Sequence, residues 1–176
     1  MNESIHTAPY LVFGCGNPLF GDDGFGPCVI DHLTAHHELP EHVACVDIGT
    51  SIRDLLFDML LSPEKPQLIV IVDAMDLEGW MPGQIHEIDV NEIQPAKISD
   101  FSLHQFPTTN MLKEIQEGTD ITVRILVVQT AELPSEVRPG LSPAVAAAVP
   151  EMSRRIMAVI SQVPLTHRPK MEPAND

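Results

Sequence analysis

The stretch Gln67-Leu-Ile-Val-Ile-Val-Asp73 decides how the rest of the chain is read. Its aliphatic run has no polar residue to turn toward water, so it reads as a strand buried on both faces at the centre of a parallel sheet. Working outward, Tyr10-Leu-Val-Phe-Gly-Cys15 is a second apolar run, and residues 43–47 and 121–128 read as further strands. Residues 84–88 (QIHEI) alternate after Pro82-Gly83, which predicts a hairpin or an edge strand. Helical spacing covers 23–36, with Pro27 in the first turn, and 52–61, with Thr50 or Ser51 as cap. Two more helices are predicted over 106–116 and 144–163, the last kinked or divided by Pro150. The order β-α-β-α-β-β-α-β-α predicts a three-layer α/β domain with a mostly parallel sheet. Residues 1–163 form this single domain, and the polar, proline-rich 164–176 is expected to be a flexible C-terminal tail.

Composition narrows the function. The 176 residues are 44% hydrophobic and 20% charged, enough for a packed core. Ten Lys plus Arg against 25 Asp plus Glu give a formal charge of −15. Such a surface repels phosphate backbones and anionic bilayers, so neither nucleic acid nor membrane is an expected partner. The start MNESIHTAPY has no secretory pattern, and no apolar run approaches the roughly 20 residues of a membrane span. Cys15, Cys28 and Cys45 lack CxxC spacing and are expected as buried free thiols in a reducing cytoplasm.

In parallel sheets, ligands bind beyond the carboxyl ends of the strands. Four segments fall there: 14–24 (GCGNPLFGDDG), 47–51 (DIGTS), 72–76 (VDAMD) and 102–105 (SLHQ). The first resembles a dinucleotide loop, but Leu19 stands where the third glycine belongs, and Asp22-Asp23 would repel a pyrophosphate. No Lys-Ser/Thr pair follows, so it is not a Walker loop either. A cation site fits better: Asp22 or Asp23, Asp73 and His104 make an oxygen, oxygen, nitrogen set suited to zinc or nickel. The same residues have plainer readings. Asp22 and Asp23 can cap a helix, Asp73 can turn the chain, and His104 can be structural or solvated. No GxSxG elbow, HExxH helix or Cys–His pair offers a nucleophile or a zinc-protease site.

Taken together, these segments resemble the [NiFe]-hydrogenase maturation endopeptidases. The family pattern GxGNxLxxD(D/E)GxG is matched by Gly14-Cys-Gly-Asn-Pro-Leu-Phe-Gly-Asp-Asp-Gly-Phe-Gly26, D-x-G-(T/S) by Asp47-Ile-Gly-Thr50, and a strand closing in D-A by residues 68–74. His104 in FSLHQFP stands for the family's loop histidine, and the likeness spans about residues 10–160. The Gly24-Phe-Gly-Pro27 stretch resembles members serving archaeal coenzyme F420-type hydrogenases.

The resemblance implies a twisted five-stranded sheet flanked by helices. It also implies an endopeptidase of aspartic type that removes the C-terminal extension of a hydrogenase large-subunit precursor once nickel is inserted. Asp23, Asp73 and His104 are then the catalytic and nickel-contacting residues, with Asp23 standing where relatives often have Glu. Asp22 can share that role, and Gly16, Asn17, Gly49 and Thr50 can position the substrate tail. Nickel is expected to arrive with the precursor, and zinc or cadmium to occupy the site in vitro. The chain is expected to be cytoplasmic and a monomer or weak oligomer. Two alternatives stand beside this: a nickel-recognising chaperone without hydrolysis, and a nucleotide-binding α/β protein.

Overall fold

The structure is a computed structural model that describes residues 7–90 and 106–165. Its strands are β1 (Tyr10–Cys15), β2 (Val43–Gly49), β3 (Leu68–Met75), β4 (Ile85–Ile88) and β5 (Thr122–Gln129). Its helices are α1 (Phe25–His36), α2 (Ile52–Leu61), α3 (Phe106–Gly118) and α4 (Pro143–Gln162). The strands form one sheet in the order β2-β1-β3-β5-β4. β1 pairs in parallel with both β2 and β3, β3 pairs in parallel with β5, and β4 closes the edge antiparallel to β5. This is the expected α/β architecture, with the 67–73 stretch supplying the middle strand.

Strand alternation divides the core between the two faces of the sheet. Leu11, Phe13, Ile69, Ile71 and Ile125 pack on one side with Leu56 and Met59 of α2 and Leu112 and Ile115 of α3. Tyr10, Val12, Val70, Val72 and Leu126 pack on the other side with Val29 and Leu33 of α1 and Met152 and Ile156 of α4. Every residue of β1 and β3 is buried. That accounts for their unbroken apolar sequence.

The structure corrects the sequence reading in several places. β3 runs two residues past Asp73, which pairs with Val127 inside the ladder and so does not end the strand. β2 likewise continues to Gly49. Residues 21–24 form a 3-10 turn before α1, and neither Asp22 nor Asp23 caps the helix: no side chain bonds at either N-cap. The hairpin alternative for β4 fails, because its neighbour is β5. Pro150 does not divide α4, which is continuous over 20 residues. Pro150 lies on the exposed side of that helix, where water can satisfy the carbonyl its missing N–H leaves free, while Val149 and Met152 hold the buried side. Cys28 and Cys45 are half-buried, in contrast to the fully buried Cys15.

α1 lies unusually close to the sheet because Gly26 faces it. A Cβ at Gly26 would stand 2.2 Å from the Cys15 carbonyl oxygen, 2.5 Å from the Cys15 nitrogen and 2.7 Å from the Val72 carbonyl oxygen. All three are backbone atoms of strands locked in the ladder, so none can step aside. Gly26→Ala is therefore expected to lower folding stability by about 3 kcal/mol or somewhat less, the usual range for overpacking a core. Urea unfolding of the variant beside the parent measures it, and an unchanged midpoint would contradict the close approach.

Candidate functional site

β1 is followed by α1 and β2 on one side, and the chain then crosses back to place β3 on the other side of β1. The connections leaving β1 and β3 thus part in opposite directions. The crevice beyond their carboxyl ends is a topological switch point, the usual ligand position in such sheets.

Residues 16–24 build one wall of it. Gly16 has φ +120°, and its N–H donates to the Gly49 carbonyl at 3.0 Å. Gly49, at φ +53°, donates its own N–H to Asp47 Oδ1 at 2.9 Å. Asp47 thus holds the turn after β2 against the loop after β1. Asn17 N–H donates to both the carbonyl and Oδ2 of Asp23, at 3.1 and 2.8 Å, and Leu19 N–H donates to Asn17 Oδ1 at 3.0 Å. The loop folds so tightly that a Cβ at Gly16 would lie 1.8 Å from the Asp23 carbonyl oxygen and 3.4 Å from its Oδ1. Glycine is required at position 16 both for its φ and for this contact. The result seats the half-buried Asp23 directly over the end of β1.

Asp73 comes from the sheet itself. It is fully buried, and its Oδ1 accepts the Ala74 N–H at 2.8 Å. The register Gly14↔Val72 sets Asp73 level with Cys15 on the adjoining strand. The Cys15 thiol reports the electrostatics: burial pushes its pKa well up, and the negative charges of Asp73, Asp47 and Asp23 push it further. Burial also raises Cys45, to about 12, and Cys28 is raised by burial and then by Asp31 and Asp47. All three shifts favour the protonated thiol, the opposite of what activates a cysteine nucleophile.

The remaining predicted site residues divide clearly. Gly16, Asn17 and Gly49 line the same loop pair as Asp23, and Thr50 follows Gly49 on the exposed side of the turn. His104 lies outside the described residues. Among the described residues, no group of three His, Cys, Asp or Glu side chains stands ready to hold a metal ion. Of the expected set, the described residues include Asp23 in the loop after β1 and Asp73 in β3.

Asp22 stands in a different environment from its neighbour. It is fully buried, and its carboxylate accepts from Ala131 N–H at 2.8 Å, Glu132 N–H at 3.4 Å, Ser142 N–H at 2.6 Å and the Ser142 hydroxyl at 3.0 Å. These donors lie 109 to 120 residues further along the chain. Ser142 and the loop at 131–132 were not legible as site-forming residues. Ser142 before Pro143 does mark a helix start, but nothing near it announces a carboxylate partner. Asp22→Asn keeps the size but turns an amide N–H₂ toward some of these donors. It is expected to lower stability by about 1.5–3 kcal/mol, the scale of hydrogen bonds to a charged group. Urea denaturation checks this, and a parent-like midpoint would contradict the clamp.

Comparison with known proteins agrees with this fold. The sequence model of the HycI family, described as hydrogenase maturation protease, matches residues 27–159. A Methanocaldococcus jannaschii protein provisionally named a hydrogenase maturation protease is 37% identical over 153 residues, covering 86% of this chain and 96% of its own. The coenzyme F420 hydrogenase subunit delta of Methanothermobacter thermautotrophicus is 34% identical over 155 residues, covering 86% and 94%. Among solved structures, the hydrogenase maturating endopeptidase HybD of E. coli superposes with a TM-score of 0.65 at 26% identity, covering 87% of this chain and 92% of that one. With a family match over most of its length and a sheet, loop and switch point to go with it, this chain belongs to the hydrogenase maturation protease family.

Proposed function

We propose that this protein is an endopeptidase that removes the C-terminal extension from the precursor of a [NiFe]-hydrogenase large subunit, and that it acts on the nickel-loaded precursor. The observation that carries this reading is the placement of Asp23 in the loop after β1 and of Asp73 near the carboxyl end of the adjoining β3, on either side of the switch point. Nickel enters as part of the substrate. The Asp23 and Asp73 carboxylates, with the His104 imidazole, complete its coordination, an oxygen and nitrogen set that suits nickel or zinc. The Gly16-Asn17 and Gly49-Thr50 backbones flank the same crevice and hold the extended tail of the precursor.

Hydrolysis needs little more from the chain. A carboxylate of the pair takes a proton from water as the water oxygen bonds to the scissile carbonyl carbon. The tetrahedral intermediate then collapses, the C–N bond breaks, and the proton passes to the leaving amine. Asp73 is the better-shielded base, since it is fully buried, and Asp23 is the more accessible one. The F420-type relative, 34% identical over nearly its whole length, supports a large subunit of that hydrogenase class as the substrate.

The test is a gel time course with purified precursor. Nickel-loaded precursor is expected to be trimmed and nickel-free precursor left intact. Asp23→Asn and Asp73→Asn are each expected to slow trimming on the order of 10²–10⁴-fold, and His104→Ala to weaken both binding and trimming. Full-rate trimming by Asp73→Asn would remove that carboxylate from the mechanism. Trimming of nickel-free precursor at the same rate would end the metal-recognition proposal. Binding with no cleaved product would leave a nickel-recognising chaperone.

A further inference from the structure

At the far end of α1 from the carboxylates, His32, His36 and His37 gather. The His32 and His36 rings stack at 20° with centroids 4.3 Å apart, as i and i+4 on one helix face. Their hydrogen bonds assign both tautomers. His36 Nδ1 lies 3.0 Å from the His32 carbonyl oxygen, which can only accept, so Nδ1 carries the proton. His32 Nδ1 lies 3.0 Å from Ser153 Oγ. The Ser153 hydroxyl already donates to the Val149 carbonyl at 3.2 Å, so it accepts from His32 Nδ1–H. Ser153 is fully buried in α4, which fixes the orientation of His32. In both rings the lone pair therefore sits on Nε2, and neither Nε2 has a protein partner among the described residues.

We propose that His32 and His36 form a two-imidazole site for a late first-row divalent cation such as Cu²⁺, Ni²⁺ or Zn²⁺. An imidazole whose Nδ1–H is held by a carbonyl or hydroxyl is the usual metal-ligand arrangement. An ion bound to both rings sits about 2.0–2.1 Å from each Nε2. His32 keeps its Ser153 bond and its orientation, while the exposed His36 side chain gives up its bond to the His32 carbonyl and turns about its own torsions to bring Nε2 onto the ion. The net charge of −15 adds a general attraction for cations. No third His, Cys, Asp or Glu among the described residues completes a cage, so the remaining positions go to water or to a ligand from solution. His32 and His36 come 7 and 11 residues after Phe25, the first residue of α1, which sets the site roughly 10–17 Å along the helix from the carboxylate loop by helix rise. It is a separate site.

The full chain is titrated with CuCl₂ and with ZnCl₂ by calorimetry, and the copper form is examined by electron paramagnetic resonance. The bound copper that His36→Ala displaces is expected to show a spectrum with two coordinated nitrogens. His36→Ala, at an exposed position, is expected to weaken it more than about tenfold without changing the unfolding midpoint in chelator. Ser153→Ala, which frees the His32 tautomer, is expected to weaken it about tenfold, the usual effect of losing such a supporting bond. His37→Ala is expected to leave it unchanged. A binding curve that His36→Ala does not alter, or that weakens only in His37→Ala, overturns the proposal, as does the absence of saturable binding at millimolar metal.

Discussion

The Asp22 carboxylate is a charge taken wholly out of water, and its position is tenable only because four donors converge on it. Burying an isolated carboxylate costs several kcal/mol, and donors with good geometry offset that cost. The donors come from the loop after β5 and from the first residue of α4's entry, so one side chain ties three separated segments into a single edge. The parallel bridge between Phe20 and Arg138 runs beside it, with Gly21 N–H donating to the Arg138 carbonyl at 2.9 Å and Arg138 N–H to the Leu19 carbonyl at 2.8 Å. With the 3-10 turn pinned this way, Asp23, the next residue, has its place decided for it.

That arrangement divides the labour within the acidic pair. Asp22 is fully buried and satisfies backbone donors, whereas Asp23 is half-buried and accepts from the loop amide of Asn17. Two adjacent acids of the same type therefore differ in kind. One holds the wall up, and its neighbour presents a carboxylate at the site. The glycines are the other half of the construction. Gly16 lets Asp23 lie on the end of β1, and Gly26 lets α1 lie on the sheet close enough for the turn to reach across. Removing either space moves the carboxylate away from Asp73.

Asp73 and Cys15 show how the sheet sets the electrostatics. A residue two positions inside a buried central strand cannot choose its exposure, so Asp73 stays in a low-dielectric setting where its charge acts strongly on neighbours. The adjoining thiol is thereby held protonated and chemically quiet. That setting favours the protonated form of the nearby sulfur, so the carboxylates are the charged groups of this edge.

The sequence by itself determined the layers and the sheet's centre. Unbroken aliphatic runs at 10–15 and 67–73, separated by helical spacing, have few other ways to be buried, and the four-residue edge strand was visible in its alternation. It also singled out the acids and glycines after β1 and Asp73 of the central run as site candidates, since such residues sit near where parallel strands end. Tertiary structure decided what each acid does. Whether Asp22 or Asp23 faces the crevice depends on donors more than a hundred residues away, and no local spacing records them. The continuity of α4 through Pro150 was likewise decided by packing, because a buried face on both sides of the proline outweighs one lost backbone bond. The pairing of His32 with Ser153 is of the same kind: it exists only because α1 and α4 lie side by side on one face of the sheet.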